Sequence, residues 1–414
     1  MKKSFLALAA AALLSGPVLA APTWITVGDD ALAVLRRLDA QVETLSSAQV
    51  PVLVPEQRGS RHLVTRNDTV HAVQVDDSLL LALSQGVHAE LHRCGGFVRH
   101  DSMAEALAVL HRLQTPQALE GVAPSYAIDN VAQVTPLLAQ MQSSRILATI
   151  QSLSDFQNRY YTSSHGVAAS TWLFNTWKAL AGTRSDVKVT QISHPNWPQK
   201  SVSMVIQGSS NAREIVVLGG HLDSISSGQP ETLRAPGADD DASGVASLTE
   251  VIKVLMDNGY KPKRTLQFIG YAAEEEGLLG SKEIASKAKR LRKKVVGVLQ
   301  LDMTAYQGDA TDFWIFTDYT NAAQNTFVGA LATAYLPQLT VGFDKCGYGC
   351  SDHASWSGQG YAASFPFEAS FAHDNKNIHT PNDTIANFGS QAEHALKFSR
   401  LALSFAVELG SDGP

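Results

Sequence analysis

Acids and histidines gather at four places in this sequence, each beside an apolar run. E-I-V-V-L-G-G is followed by His221, Leu222 and Asp223, Q-F-I-G-Y-A-A by Glu274, Glu275 and Glu276, and V-V-G-V-L-Q-L by Asp302. Asp239, Asp240 and Asp241 stand in P-G-A-D-D-D-A-S-G, where a helical pattern opens. Taken singly, an acidic triplet ahead of a helix is a favourable charge at the helix N-terminus, and a histidine after a strand is an ordinary loop residue. Taken together they converge, because in an open α/β sheet the residues just beyond the carboxyl ends of the strands meet at one edge. Carboxylates brought that close need neutralising, and a pair of divalent cations does it. Imidazole mixed with carboxylate suits zinc, whereas an all-oxygen set would suit calcium or magnesium. His379, in N-I-H-T-P-N-D-T, would complete a set of two histidines and three carboxylates. The H-E-x-x-H helix of single-zinc proteases does not occur in the sequence.

The elements that must hold these side chains follow from periodicity. S-V-S-M-V-I, R-E-I-V-V-L-G-G, R-T-L-Q-F-I-G-Y, V-V-G-V-L-Q-L-D and D-F-W-I-F-T-D read as buried strands. A-S-G-V-A-S-L-T-E-V-I-K-V-L-M-D-N-G reads as a helix that stops on Asn258 and Gly259. This alternation, running from about residue 130 onward, predicts an α/β fold with a mixed, mostly parallel central sheet flanked by helices. Residues 21 to 125 hold no cluster of ligands. They end in Q-A-L-E-G-V-A-P-S-Y-A, where Gly121 and Pro124 interrupt regular structure before a new helical pattern near Thr135.

With 414 residues and 44 % hydrophobic content, the chain can build one large domain and a smaller one. A net charge of -6 and a pI near 6.1 give no field that would draw in phosphate backbones, which argues against nucleic acid as a partner. Lys2 and Lys3, an apolar stretch from Phe5 to Leu14, and V-L-A ending at Ala20 have the order of a secretory signal peptide. That stretch is too short to span a bilayer, so residues 1–20 predict export rather than a membrane anchor. Cys346 and Cys350 in C-G-Y-G-C can pair if the loop turns sharply, and two glycines permit that. Cys94 is then left over, inside a stretch that processing would remove. A signal peptide followed by a long region without site residues predicts a small α+β pro-segment at 21–125 that chaperones folding or blocks a site until it is cleaved. A permanent accessory domain is the alternative. Residues 126–414 are expected to carry the site, as a catalytic domain, in either case.

In order, G-G-H-L-D-S, A-P-G-A-D-D-D-A-S-G, A-A-E-E-E-G-L-L-G-S, L-Q-L-D-M, C-G-Y-G-C-S-D-H-A-S-W and I-H-T-P-N-D-T resemble the secreted bacterial leucyl aminopeptidases, a family of co-catalytic di-zinc exopeptidases. The likeness runs from about residue 130 to about 410. It implies that Asp240 bridges two zinc ions, that His221 and Asp302 complete one, and that Glu275 and His379 complete the other. Asp223 would orient the His221 imidazole. Glu274 would be the general base, moving a proton from a zinc-bridging water to the departing amine. Tyr348, held by a Cys346–Cys350 disulfide, would stabilise the oxyanion. Met303, Phe316, Cys350, Phe367 and Phe371 would line an apolar pocket for leucine and other large hydrophobic residues at the substrate amino terminus. Glu276 would be a solvated acid at a helix start. The expected partners are peptides with a free amino terminus, and such a site is complete within a monomer.

Three rivals stand beside this reading. Ser351, Asp352 and His353 superficially offer a serine hydrolase, but the second glycine of G-x-S-x-G is missing and neighbours in sequence form a triad poorly. A receptor-like domain with a decayed metal site conflicts with the complete ligand set. A carboxypeptidase or dipeptidase would need a cation for the substrate carboxylate, and Lys376 is the one near His379.

Overall fold

The computed structural model describes residues 22–56, 62–91, 95–114 and 126–411. The expected signal peptide, the boundary near residue 125 and Cys94 lie outside the described residues. The N-terminal unit runs β1 (Pro22–Gly28), α1 (Asp29–Leu38), β2 (Thr44–Pro55), β3 (Leu63–Asp76), α2 (Leu79–Leu91), β4 (Phe97–His100) and α3 (Met103–Gln114). Its strands pair antiparallel in the order β2-β3-β1-β4. Period-two alternation drives this: Ala48, Val50, Val52 and Val54 of β2 are buried under Ala106 and Leu110 of α3. Ile25, Val27, Val73 and Val75 face the other way, under α1 and α2. Sheet and helices together make the α+β unit expected from the sequence.

The C-terminal unit begins with α4 (Val131–Leu138), α5 (Ser143–Ser154) and α6 (Ser164–Ala181), then β5 (Val187–His194), β6 (Trp197–Ile206) and β7 (Asn211–His221). It continues with α7 (Ala242–Asp257), β8 (Arg264–Tyr271), α8 (Leu279–Arg290), β9 (Lys294–Gln300), β10 (Phe313–Phe316) and α9 (Ala322–Tyr335). It closes with β11 (Val341–Asp344), α10 (His353–Gly358), β12 (Ala363–Phe367) and α11 (Glu393–Ser411). The sheet order is β11-β10-β12-β9-β7-β8-β6-β5. Its centre, β12-β9-β7-β8, is parallel, β10 and β11 are also parallel, and the remaining pairings are antiparallel.

All five runs read as strands are strands. The central ones are apolar throughout because both faces are covered. Val216, Leu218, Leu266, Phe268 and Leu299 pack with Val245, Leu248, Phe398 and Phe405 of α7 and α11. Val217, Ile269, Tyr271 and Val298 face Ile284 of α8 and Trp356 of α10. The predicted helix is α7: Asp241 caps it by accepting from Gly244 N at 2.8 Å, and Gly259 beyond its end takes φ 58°.

The N-terminal unit lies across the carboxyl ends of the central strands. Arg99 N donates to Gly277 O at 3.3 Å, Lys282 Nζ reaches Asp101 Oδ1 at 2.6 Å, and Lys345 is paired with Asp68. The ring of His88 stands 5.0 Å from that of His379.

Candidate metal centre

Strand β7 ends on His221, and the backbone amide of that residue is fixed by Asp241 Oδ2 at 2.9 Å. The cap of α7 therefore also aligns the strand end with the acidic triplet. His221 Nε2 lies 2.9 Å from Asp240 Oδ1 and 3.5 Å from Asp302 Oδ1. The second oxygen of Asp240 faces the other imidazole, 3.2 Å from His379 Nε2, which is 2.8 Å from Glu275 Oε2. Two clusters result, His221–Asp240–Asp302 and Asp240–Glu275–His379, with Asp240 in both. Asp223 accepts the amides of Glu274 and Glu275 at 3.0 and 3.1 Å, and its Oδ1 stands 3.6 Å from His221 Nδ1. It thus ties the end of β7 to the turn after β8. Ser351 Oγ donates to Asp302 Oδ2 at 2.6 Å.

The donor set fits a pair of zinc ions. Both oxygens of Glu275, Oδ1 of Asp302 and Nε2 of His379 are buried without a hydrogen bond, although oppositely charged groups are within ion-pair distance. Buried polar atoms ordinarily find partners, so atoms left open at one point mark where a ligand belongs. Charge says the same. Burial lowers the affinity of His221 and His379 for protons, yet the carboxylates around them push both well above the ordinary histidine range. Burial, then the charge of Asp240, moves Glu275 up to about 7. Glu274 is raised well above the usual range, first by burial. A site that forces carboxylates and imidazoles to share protons this way gains from fixed positive charge.

The sequence pattern of peptidase family M28 matches residues 201–405. A probable leucine aminopeptidase of Arthroderma otae is 36 % identical over 68 % of this chain and 77 % of its own length. This chain belongs to peptidase family M28. Leucine aminopeptidase 1 of Grosmannia clavigera is also 36 % identical, over 69 % of this chain and 72 % of its own. The crystal structure of the LapA aminopeptidase of Legionella pneumophila superposes with a TM-score of 0.75 at 28 % identity, covering 95 % of this chain and 100 % of that one. Both of these relatives are fungal, so the likeness is not confined to bacterial proteins. Family membership makes the chain a hydrolase of the metallo-aminopeptidase class.

In this M28 chain the expected pocket residues come together. Met303, Phe316, Cys350 and Phe367 are buried in one apolar cluster with Tyr348, Phe371 packs against it, and Trp314, Phe365 and Ile378 belong to it as well. The Cys346–Cys350 bond is present, with Cα atoms 6.3 Å apart. Asp318 accepts the amides of Cys346 and Gly347 at 3.2 and 2.7 Å, which anchors the loop that carries Tyr348. Between Tyr348, Glu274 and residues 95–97 of the N-terminal unit only about 10 Å³ of space remains. A single water needs about that much.

One expectation changes, and two of the rivals lose their footing. Glu276 is not a solvated acid at a helix start: it is buried in the turn before α8, accepts from Tyr160 Oη at 2.9 Å, and is pushed up to about 7, chiefly by burial. Ser351, Asp352 and His353 form no triad, since Ser351 serves Asp302, Asp352 accepts from Gln300 Nε2 at 3.1 Å, and His353 stacks on Phe365 with neither ring nitrogen bonded. Lys376 is paired with Asp374 of its own unit.

Two supporting residues escaped the sequence reading. Asp383 accepts the amides of Asp239 and Asp240 at 3.2 and 3.1 Å; it stands in the quoted I-H-T-P-N-D-T, four residues past His379. Arg159 is fully buried and donates to the carbonyls of Leu222, Pro236 and Gly237, bracing the segments beside His221 and Asp240. Nothing in N-R-Y-Y signals that role.

Proposed function

We propose that the protein is an exported, zinc-dependent aminopeptidase that releases leucine and other large hydrophobic residues from peptide amino termini, and that residues 21–125 hold it inactive until cut. The observation that carries the site reading is Asp240, which turns one oxygen toward each histidine while Glu275 and Asp302 keep unbonded oxygens at the same place. Those five residues would hold two zinc ions, which when bound polarise the scissile carbonyl and acidify water toward a pKa of about 7.

The chain's own groups do the rest. Glu274, whose amide is pinned by Asp223, takes a proton from the attacking water and passes it to the departing amine. The Tyr348 phenol donates to the developing oxyanion from a loop fixed by Asp318. The cluster of Met303, Phe316, Cys350, Phe367 and Phe371 takes the first side chain, excluding water from it. Such pockets separate neighbouring side chains by only about 1–3 kcal/mol per methylene, which favours a broad hydrophobic preference.

The pro-segment reading draws on the filled space between residues 95–97 and Glu274. Export rests on the charged and apolar order of residues 1–20. Among the described residues no helix is long and apolar enough to cross a membrane.

The test is hydrolysis of leucine p-nitroanilide and its amino-acetylated analogue by the full chain and by chain cut between residues 115 and 125. Cleavage of the free amine alone, lost on chelation, restored by zinc and faster after cutting, is expected. Cleavage of both substrates would remove the free-amine requirement, and equal rates before and after cutting would end the pro-segment reading.

A further inference from the structure

Asp68, in β3 of the N-terminal unit, presents both carboxylate oxygens to the ammonium of Lys345. Lys345 directly precedes Cys346, so it belongs to the loop fixed by Asp318 and the disulfide. Together with Tyr348, Phe371 and Lys376, the pair lines a cavity of about 620 Å³ between the two units. The two lysines differ in one respect. Lys376 is paired with Asp374, a buried acid of its own unit, whereas the carboxylate bonded to Lys345 belongs to the unit that would leave on processing.

We propose that Lys345 is the carboxylate-binding residue of the substrate groove and that Asp68 occupies its place in the uncut chain. This rests on the aminopeptidase reading above. A peptide whose first side chain enters the cluster around Phe371 carries its next residue into the cavity that Lys345 lines, and an ammonium there selects a carboxylate at that position. Two sources supply one: the C-terminus of a dipeptide, or an acidic side chain at the second position of a longer peptide. The Lys345 side chain is 30 % exposed, open enough to exchange partners, and its backbone is fixed by the loop. The N-terminal unit would then compete with substrate at the cation as well as fill the space above Glu274.

The experiment uses full chain, folded intact and cut at a protease site introduced between residues 115 and 125. Specificity constants kcat/KM are measured for Leu-Gly against Leu-Gly-amide, and for Leu-Asp-amide against Leu-Asn-amide. A C-terminal source predicts that the cut parent protein favours the free acid in the first pair; a side-chain source predicts that it favours the aspartyl peptide in the second. In Lys345→Ala the favoured ratio should fall about fivefold, the size expected of a partly exposed ion pair, and Lys345→Arg should restore most of it. Lys376→Ala should leave the ratio near its original value. Ratios near one in the parent protein, or ratios the same in the parent and Lys345→Ala, overturn the proposal. Failure of the parent to cut leucine p-nitroanilide would overturn the aminopeptidase reading itself, a result separable from the ratios.

Discussion

Glu274 and Glu275 are adjacent, equally buried and hung from the same carboxylate, yet they face different partners. Glu275 Oε2 is 2.8 Å from His379, while Glu274 Oε2 comes no nearer than 4.0 Å to His221. One side chain is placed to hold a cation and the other to stand beside it. Glu274→Gln should therefore keep two zinc ions per chain while kcat falls by about 10²- to 10⁴-fold, the usual worth of a positioned acid–base group. Metal content and turnover measured on the same preparation check this, and near-normal turnover would remove Glu274 from the chemistry. The five residues of the candidate metal centre were legible because each follows or precedes a recognisable element and because whole motifs resemble a family. Glu276 was not, because acid before a helix is a local rule, and the phenol that receives it lies 116 residues away. Arg159 escaped for the same reason: its acceptors are backbone carbonyls, which leave no trace in composition.

The turn that joins β8 to α8 depends on how closely it can be packed. Ala273, Gly277 and Leu278 all take positive φ, and Gly277 at 91° suits only glycine comfortably. A Cβ on Gly280 would lie 2.1 Å from Ala272 O, a backbone atom that cannot rotate away. Gly280→Ala must push the first turn of α8 off the strand end. The expected loss is about 1–3 kcal/mol of stability, together with reduced zinc retention because Glu275 moves with the turn. Urea unfolding and metal content test it; an unchanged midpoint would mean that the helix slides without cost. The same scale explains which strands were read. β7, β8 and β9 are long and buried on both faces, so their apolar runs are continuous. β5 is an edge strand of mixed polarity, β11 has four residues, and β12 contains Pro366, a residue that normally argues against an interior strand. Pattern alone gives no reason to place A-S-F-P-F between β9 and β10.

Across the whole molecule, the stability of both units is tied to pH through buried histidines. Burial, helped by the charge of Lys282, holds His100 at about 3, where it meets Thr26 Oγ1 at 3.0 Å. Burial, helped by Lys397, holds His394 at about 4, against Glu368 O at 3.1 Å. Both values lie below the ordinary 6.5 of an unfolded chain. Between those limits the unfolded state binds more protons, so stability is full above about pH 6.5 and is lost as the pH falls toward 3 to 4. Asp318, raised to about 6 by burial, acts in the opposite sense, gaining stability as the pH falls from 6 toward 3.8. A wild-type profile mixes these contributions, and a single substitution separates one of them. His100→Gln keeps a hydrogen-bonding group in the N-terminal unit without a titrating one. Thermal midpoints of the full chain should fall from pH 6.5 to pH 4 less steeply in His100→Gln than in the parent, while the two curves run parallel above pH 7. Superimposed slopes would show that His100 does not carry the acid sensitivity. Because the N-terminal unit fills the space above Glu274, a shallower slope should come with slower opening of the site in acid, read as slower cleavage of leucine p-nitroanilide by uncut His100→Gln at pH 5 than by the uncut parent.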